Sequence, residues 1–123
     1  MKVAVSAETN QGLKSQVVHH FGRCPYFALV EVENQKIASC KIIDNPYFQA
    51  HQPGQVPGFI KEQGAEVMLS GGMGGRAIQF FDQFGIQTAT GACGTVEDTI
   101  QHYLNGDLGG AAPCKESVEH GHG

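Results

Sequence analysis

The chain has 123 residues, a size that suits one domain with one core. Eight lysines and arginines against twelve acids leave a formal charge of −4. That balance argues against a nucleic-acid or membrane-surface partner, both of which require a basic patch, and no apolar run approaches the roughly 18 residues needed to cross a bilayer.

The opening MKVAV passes straight into an apolar alternation with no leader and no small-residue cleavage site, so the expected location is the cytoplasm. Cys24, Cys40, Cys93 and Cys114 are even in number. A chain of this length without a signal peptide folds without staples, so thiols are expected rather than disulfides. Seventeen glycines is a high share, and many fall at predicted turns.

Lys2 to Ser6 reads as a first strand with Val3 and Val5 on one face. Glu8 to Gln16 is a polar loop. Tyr26 to Glu33 and Lys36 to Ile43 are two strand-like runs, and the link Asn34–Gln35 has hairpin spacing. Asp44 to Gly58 is loop-like, broken by Asn45–Pro46, Pro53–Gly54 and Pro57–Gly58. A short helix is predicted from Pro57 to Gln63, starting on proline and stopped by Gly64. Glu66 to Ser70 is a short buried strand, followed by the loop Gly71-Gly72-Met73-Gly74-Gly75. Arg76 to Phe84 is a helix whose Ala77, Phe81 and Phe84 share a face bordered by Ile78, with Gly85 at its end. Ile86 to Thr90 is another strand, and Gly91 to Gly94 another glycine loop. The last helix opens on a capping box, Thr95 with Asp98. Val96, Ile100, Tyr103 and Leu104 form its apolar stripe and Gly106 closes it.

The order β-β-β-α-β-α-β-α predicts an α/β fold. Right-handed crossovers make strands 1, 4 and 5 parallel, with strand 2 antiparallel to strand 1. The result is a mixed five-stranded sheet in the order 3-2-1-4-5 with helices on both faces. One domain is expected over residues 1–108, with 109–123 as a flexible tail rich in glycine and histidine.

This topology gathers the chemistry. Ligands of open α/β sheets sit beyond the carboxyl ends of the parallel strands, where strand order reverses, here between strands 1 and 4. The loop after strand 1 carries His19, His20 and Arg23, and Cys24 enters strand 2 at the same edge. The Gly71–Gly75 loop and Cys93 converge there too. Thiolates and imidazoles select soft or borderline metals. Two glycine loops running into helix N-termini offer N–H donors for an anion, and Arg23 and Arg76 add positive charge. Metal–sulfide clusters are anionic, with sulfides that accept hydrogen bonds. They suit sparse donors better than a bare zinc ion, which wants four close ligands.

Three segments, "HHFGRCPYFALVEVE", "GAEVMLSGGMGGRAIQFFDQFGI" and "TGACGTVEDTIQHYLNGDL", resemble the dinitrogenase iron–molybdenum cofactor-binding family, which includes NifX and the carboxyl-terminal domain of NifB. The resemblance covers about residues 1–108, with the motifs in the family's order. It implies a ribonuclease H-like sheet and the non-catalytic binding, carriage or assembly of an iron–sulfur or molybdenum-containing metal–sulfide cluster, as in iron–molybdenum cofactor biosynthesis for nitrogen fixation. It also implies donor and acceptor proteins as partners. Some stand-alone members belong to organisms that fix no nitrogen and one group holds a molybdenum–copper cluster, so the metal content is not carried over. By position, His20, Cys24 and Cys93 are the expected metal ligands. Arg23, Gly71, Gly72, Met73, Gly74, Gly75, Arg76, Gly91, Gly94 and Thr95 are expected around the cluster, and two chains sharing one cluster would fit so few donors.

Plainer readings stand beside these. A cysteine alone is more often a small buried hydrophobe than a ligand, and His20 next to Phe21-Gly22 equally suits a turn. Cys40, in register with Ala38 and Ile42, is structural. Cys114 belongs to the tail, His51 and His102 are expected in solvent, and His120 with His122 resembles a weak surface chelator. Gly72-x-Gly74-x-x-Ala77 fits a dinucleotide fingerprint formally, but no acid follows at the ribose position. No Gly-Lys-Ser/Thr is present, and the first strand, KVAVS, lacks the carboxylate that a two-metal nuclease needs. The alternative to a cluster carrier is a regulatory or interaction module of the same fold that binds a partner protein and no cluster.

Overall fold

The computed structural model describes residues 1–21, 23–48, 54–106 and 108. His51, Cys114, His120, His122 and the tail 109–123 lie outside the described residues. The elements run β1 (Lys2–Ala7), a 3₁₀ turn (Gly12–Lys14), β2 (Tyr26–Glu33), β3 (Lys36–Asp44), α1 (Gln55–Glu62), β4 (Val67–Leu69), α2 (Gly75–Gln83), β5 (Gln87–Ala89) and α3 (Val96–Leu104). They form one five-stranded sheet in the order β3-β2-β1-β4-β5. β1 pairs antiparallel with β2 and parallel with β4, and β4 pairs parallel with β5. This is the mixed sheet read from the sequence.

Burial explains the layering. β1 lies in the middle of the sheet, and Val3 to Ala7 are all buried. On one face Val3, Val5 and Ala7 join Val30, Leu69, Val96 and Ile100, so α3 covers that side. On the other, Ala4 joins Phe27, Met68, Val56, Ile60 and Phe81, which are covered by α1 and α2. Alternating side chains thus feed two separate apolar layers from one strand.

Most boundaries move by a residue from the sequence reading, and α1 and β3 depart from it further. α1 begins at Gln55, two residues before the proline expected to start it. Proline is tolerated there because first-turn N–H groups have no intrahelical acceptor. Gly54 precedes it at φ 89° in the left-handed region. In β3, Ala38 does not share the face of Cys40. The ladder pairs Glu31 with Ser39 but Val32 with Ile37, leaving Ala38 as the extra residue of a bulge. Ile37, Cys40 and Ile42 therefore reach the α3-side cluster while Ala38 is exposed.

The hairpin link expected at Asn34–Gln35 is present, with φ of 54° and 64°. Two consecutive left-handed residues make the turn whose twist matches its strands, and glycine suits its second position best. Gln35→Gly should therefore raise stability by about 0.5–1 kcal/mol, read as a higher urea midpoint with unchanged slope. Burial raises the thiol pKa of Cys40 above its ordinary value of 9.0. The folded protein then holds that proton more tightly than the unfolded chain, so this contribution is full below pH 9 and is lost as pH rises through the folded pKa. Urea midpoints measured across that range should fall less steeply in Cys40→Ala.

Candidate functional site

The chain leaving β1 turns back on it. Glu8 N–H donates to the Gln16 carbonyl at 2.9 Å, and Val18 N–H to that of Ser6 at 3.1 Å. The strip then runs between two loops. On one side Val17 N–H donates to Gly94 O at 2.9 Å and Val96 N–H to Ser15 O at 2.8 Å. On the other, Gly71 N–H donates to Val18 O at 3.2 Å and Phe21 N–H to Gly72 O at 3.0 Å, with His20 and Gly72 in a parallel bridge. Gly91 N–H donates to Gly71 O at 3.0 Å and joins the two loops.

Contact this close explains two glycines. A Cβ on Gly71 would lie 2.8 Å from His19 Cα and 3.1 Å from the carbonyl oxygens of His19 and Val18. One on Gly72 would lie 3.0 Å from His19 O. Both obstacles are main chain, which cannot swing aside.

The strip and the first loop enclose an open cleft of about 410 Å³, lined by His19, His20, Phe21, Gly71, Gly72, Met73 and Gly74. Phe21 roots the rim in the core. Its ring meets Phe81 edge-on at 5.2 Å between centroids and Phe27 at 6.1 Å. Both imidazoles are exposed, with ring centres 6.4 Å apart. Beneath the rim, Ser6 and Ser70 are fully buried at the ends of β1 and β4. Ser6 Oγ donates to Ser70 Oγ at 3.0 Å, and Ser70 Oγ donates to Gly72 O at 3.2 Å.

The two glycine loops look alike in sequence and differ in what their N–H groups do. At α3, Thr95 N–H donates to Asp98 Oδ2 and Asp98 N–H to Thr95 Oγ1, the expected capping box. Gly91, Ala92 and Val96 N–H groups are also taken, and Glu97 with Asp98 adds negative charge. At α2 no side chain caps the helix and no acid lies in its first turn. The N–H groups of Met73, Gly74, Gly75 and Arg76 have no acceptor among the described residues. Arg23 and Arg76 are exposed and form no ion pair among the described residues. The donors anticipated at Gly91 and Thr95 are thus committed to holding the fold, whereas Gly94 N–H, like those of 73–76, has no acceptor among the described residues.

The expected metal ligands are not gathered into one set. Cys24 is fully buried with Phe27, Met68 and Phe81, and its carbonyl accepts Asn45 Nδ2 at 2.8 Å. That anchor, together with its apolar surroundings, holds the residue inside the α1–α2 layer. Cys93 is half-buried in the second loop, its carbonyl 3.5 Å from Thr99 Oγ1. Among the described residues no group of three or more histidines, cysteines and acids is placed to hold a metal ion. Sequence reasoning missed the root Phe21 and the Ser6–Ser70 pair. The second had a signal, since KVAVS and EVMLS each end an apolar run on serine.

A mixed sheet with an open cleft at the strand-order reversal makes this an α/β domain with a candidate binding site. The chain belongs to the dinitrogenase iron–molybdenum cofactor family, whose profile it matches over residues 1–106. It is 29% identical over 110 residues to the uncharacterised protein MJ0580 of Methanocaldococcus jannaschii, covering 88% of this chain and 89% of that one. Its fold is similar to the crystal structure of PH0822, with 39% identity and a TM-score of 0.78 over 88% of this chain and 94% of the other. It is also similar to the apo form of the orange protein from Desulfovibrio gigas, with 28% identity and a TM-score of 0.79 over 93% and 96%. No helix among the described residues is long and apolar enough to cross a membrane.

Gly71→Ala should cost about 1–3 kcal/mol through main-chain overpacking. A Cβ at Gly75, by contrast, meets nothing within 4 Å. Gly75→Ala should therefore be neutral or stabilising by up to about 1 kcal/mol. Urea denaturation of the two variants checks the contrast.

Proposed function

We propose that the chain binds a metal–sulfide cluster, of iron–sulfur or molybdenum-containing type, and carries it between a donor and an acceptor protein without transforming it. The observation that carries this reading is the cleft, where an imidazole rim faces a glycine loop whose N–H groups from Met73 onward have no acceptor among the described residues. Such a surface suits an anion with acceptor atoms on its outside, which describes a metal–sulfide cluster. The family's name, that of the iron–molybdenum cofactor, supports a cluster as the cargo.

His20 is the proposed rim ligand. Cys93 is the proposed thiolate, on the loop that Gly91 ties to Gly71. Arg23, Arg76 and the N–H groups of the first loop would balance the cargo's charge. Cys24, sealed in apolar packing, is proposed to stabilise the layer beneath rather than to ligate. So few protein donors hold a cluster loosely, as a carrier requires, and leave room for a second chain to complete the set. Thiolate ligation suits a reducing compartment such as the cytoplasm.

A second reading is a regulatory module that docks a partner protein and holds no cluster. It is favoured by the lack of a three-donor group among the described residues.

Anaerobic reconstitution with iron, sulfide and molybdate separates the two. A carrier develops visible charge-transfer absorption. His20→Ala and Cys93→Ser should each weaken loading about tenfold or more, as loss of a ligand or its support does. Cys24→Ser should load normally while losing about 1–3 kcal/mol of stability to a buried hydroxyl. A wild-type protein that stays colourless sinks the carrier.

A further inference from the structure

We propose that Ser70 is a positioning residue of the cleft, its buried hydroxyl aiming the N–H of Met73 at the ligand. This deepens the carrier reading and rests on it. Gly72 O receives two donors, the N–H of Phe21 at 3.0 Å and the hydroxyl of Ser70 at 3.2 Å. A carbonyl oxygen has two lone pairs, so both are engaged and the Gly72–Met73 peptide plane is clamped. In a trans peptide the C=O and the next N–H point in opposite directions. With Gly72 O drawn down onto Ser70 and Phe21, the Met73 N–H is turned the other way, away from the buried serine, and Met73 is among the residues that line the cleft. It has no acceptor among the described residues.

Ser6 backs this arrangement. Its hydroxyl lies 3.0 Å from Ser70 Oγ and 3.4 Å from Val18 O. When the Ser6 proton goes to Ser70 Oγ, the nearer of the two, the Ser70 proton is left for Gly72 O. The fold itself does not depend on that proton. Gly72 O keeps the Phe21 N–H when the hydroxyl is removed, and Ser6 keeps Val18 O as an acceptor, so Ser70→Ala orphans no buried group. What it removes is one of the two restraints on the peptide plane.

Two measurements test the proposal. In the ligand-free protein, Ser70→Ala should speed amide exchange of Phe21 by about fivefold, the worth of one hydrogen bond. Amides of β1 and β2 should keep their wild-type rates, and Ser6→Ala should have a smaller effect on Phe21. Tetrathiomolybdate, a small metal–sulfide anion, is then titrated while amide resonances are followed. The Met73 resonance should move in the wild type, and Ser70→Ala should weaken binding by about the same factor. The proposal is overturned if Phe21 exchange is unchanged, if all amides accelerate together, if Ser70→Ala fails to fold, or if Ser6→Ala exceeds it. It is also overturned if other cleft amides move and Met73 does not. If no cleft amide responds, the carrier reading falls and takes the Met73 contact with it, while ligand-free exchange still decides whether the serines clamp the plane.

Discussion

The whole functional edge depends on how closely two backbones approach. The strip 16–21 lies against the loop after β4 with its His19 carbonyl where a side chain on Gly71 or Gly72 would stand. Removing two Cβ atoms lets main chain pack on main chain, and the hydrogen bonds at Gly71, Gly72 and Phe21 follow from that contact. His20 owes its place to this pairing and to Phe21, whose ring is inserted between Phe27 and Phe81. The rim is therefore a loop in name only. It is an irregular extension of the sheet, and the precision of any site built on it comes from the strands beneath.

The same edge shows why glycine content alone does not define an anion site. Both glycine loops lead into helices, yet α3 closes its own N-terminus with Thr95 and Asp98. Val96, Ala92 and Gly91 N–H groups join Ser15, Ser70 and Gly71. At α2 the corresponding donors stay open because Gly74 offers no capping side chain and Arg76 replaces an acid in the first turn. One loop fastens the fold and the other keeps N–H groups open at its helix N-terminus.

Sheet order, strand directions and the convergence of loops on one edge were legible because each rests on a local signal. These signals were alternation in β1, the Asn34–Gln35 turn, and strand-to-helix repeats whose crossover hand is nearly invariant. The capping box at Thr95 was equally plain. Less legible was which way a side chain turns once it reaches the edge. Cys24 occupies the predicted end of the sheet, but its fate was decided by Met68, Phe81 and Asn45, residues distant in sequence. The occupancy of individual N–H groups was also hidden, since it follows from tertiary partners such as Ser15 and Val18. The Ala38 bulge escaped for a related reason. It is a property of the pairing with β2, and the run KIASCKII alternates well enough without it.

That bulge has a bearing on how copies of the chain meet. β3 is a border strand of nine residues, long enough to offer unpaired main-chain groups to a neighbour. An interrupted pleat is a poor template for an incoming strand, and the exposed Lys36 and Lys41 would have to be buried or displaced by one. The molecule thus guards its long flank against indiscriminate stacking, while the cleft opens elsewhere, at the end of the sheet where β1 and β4 finish.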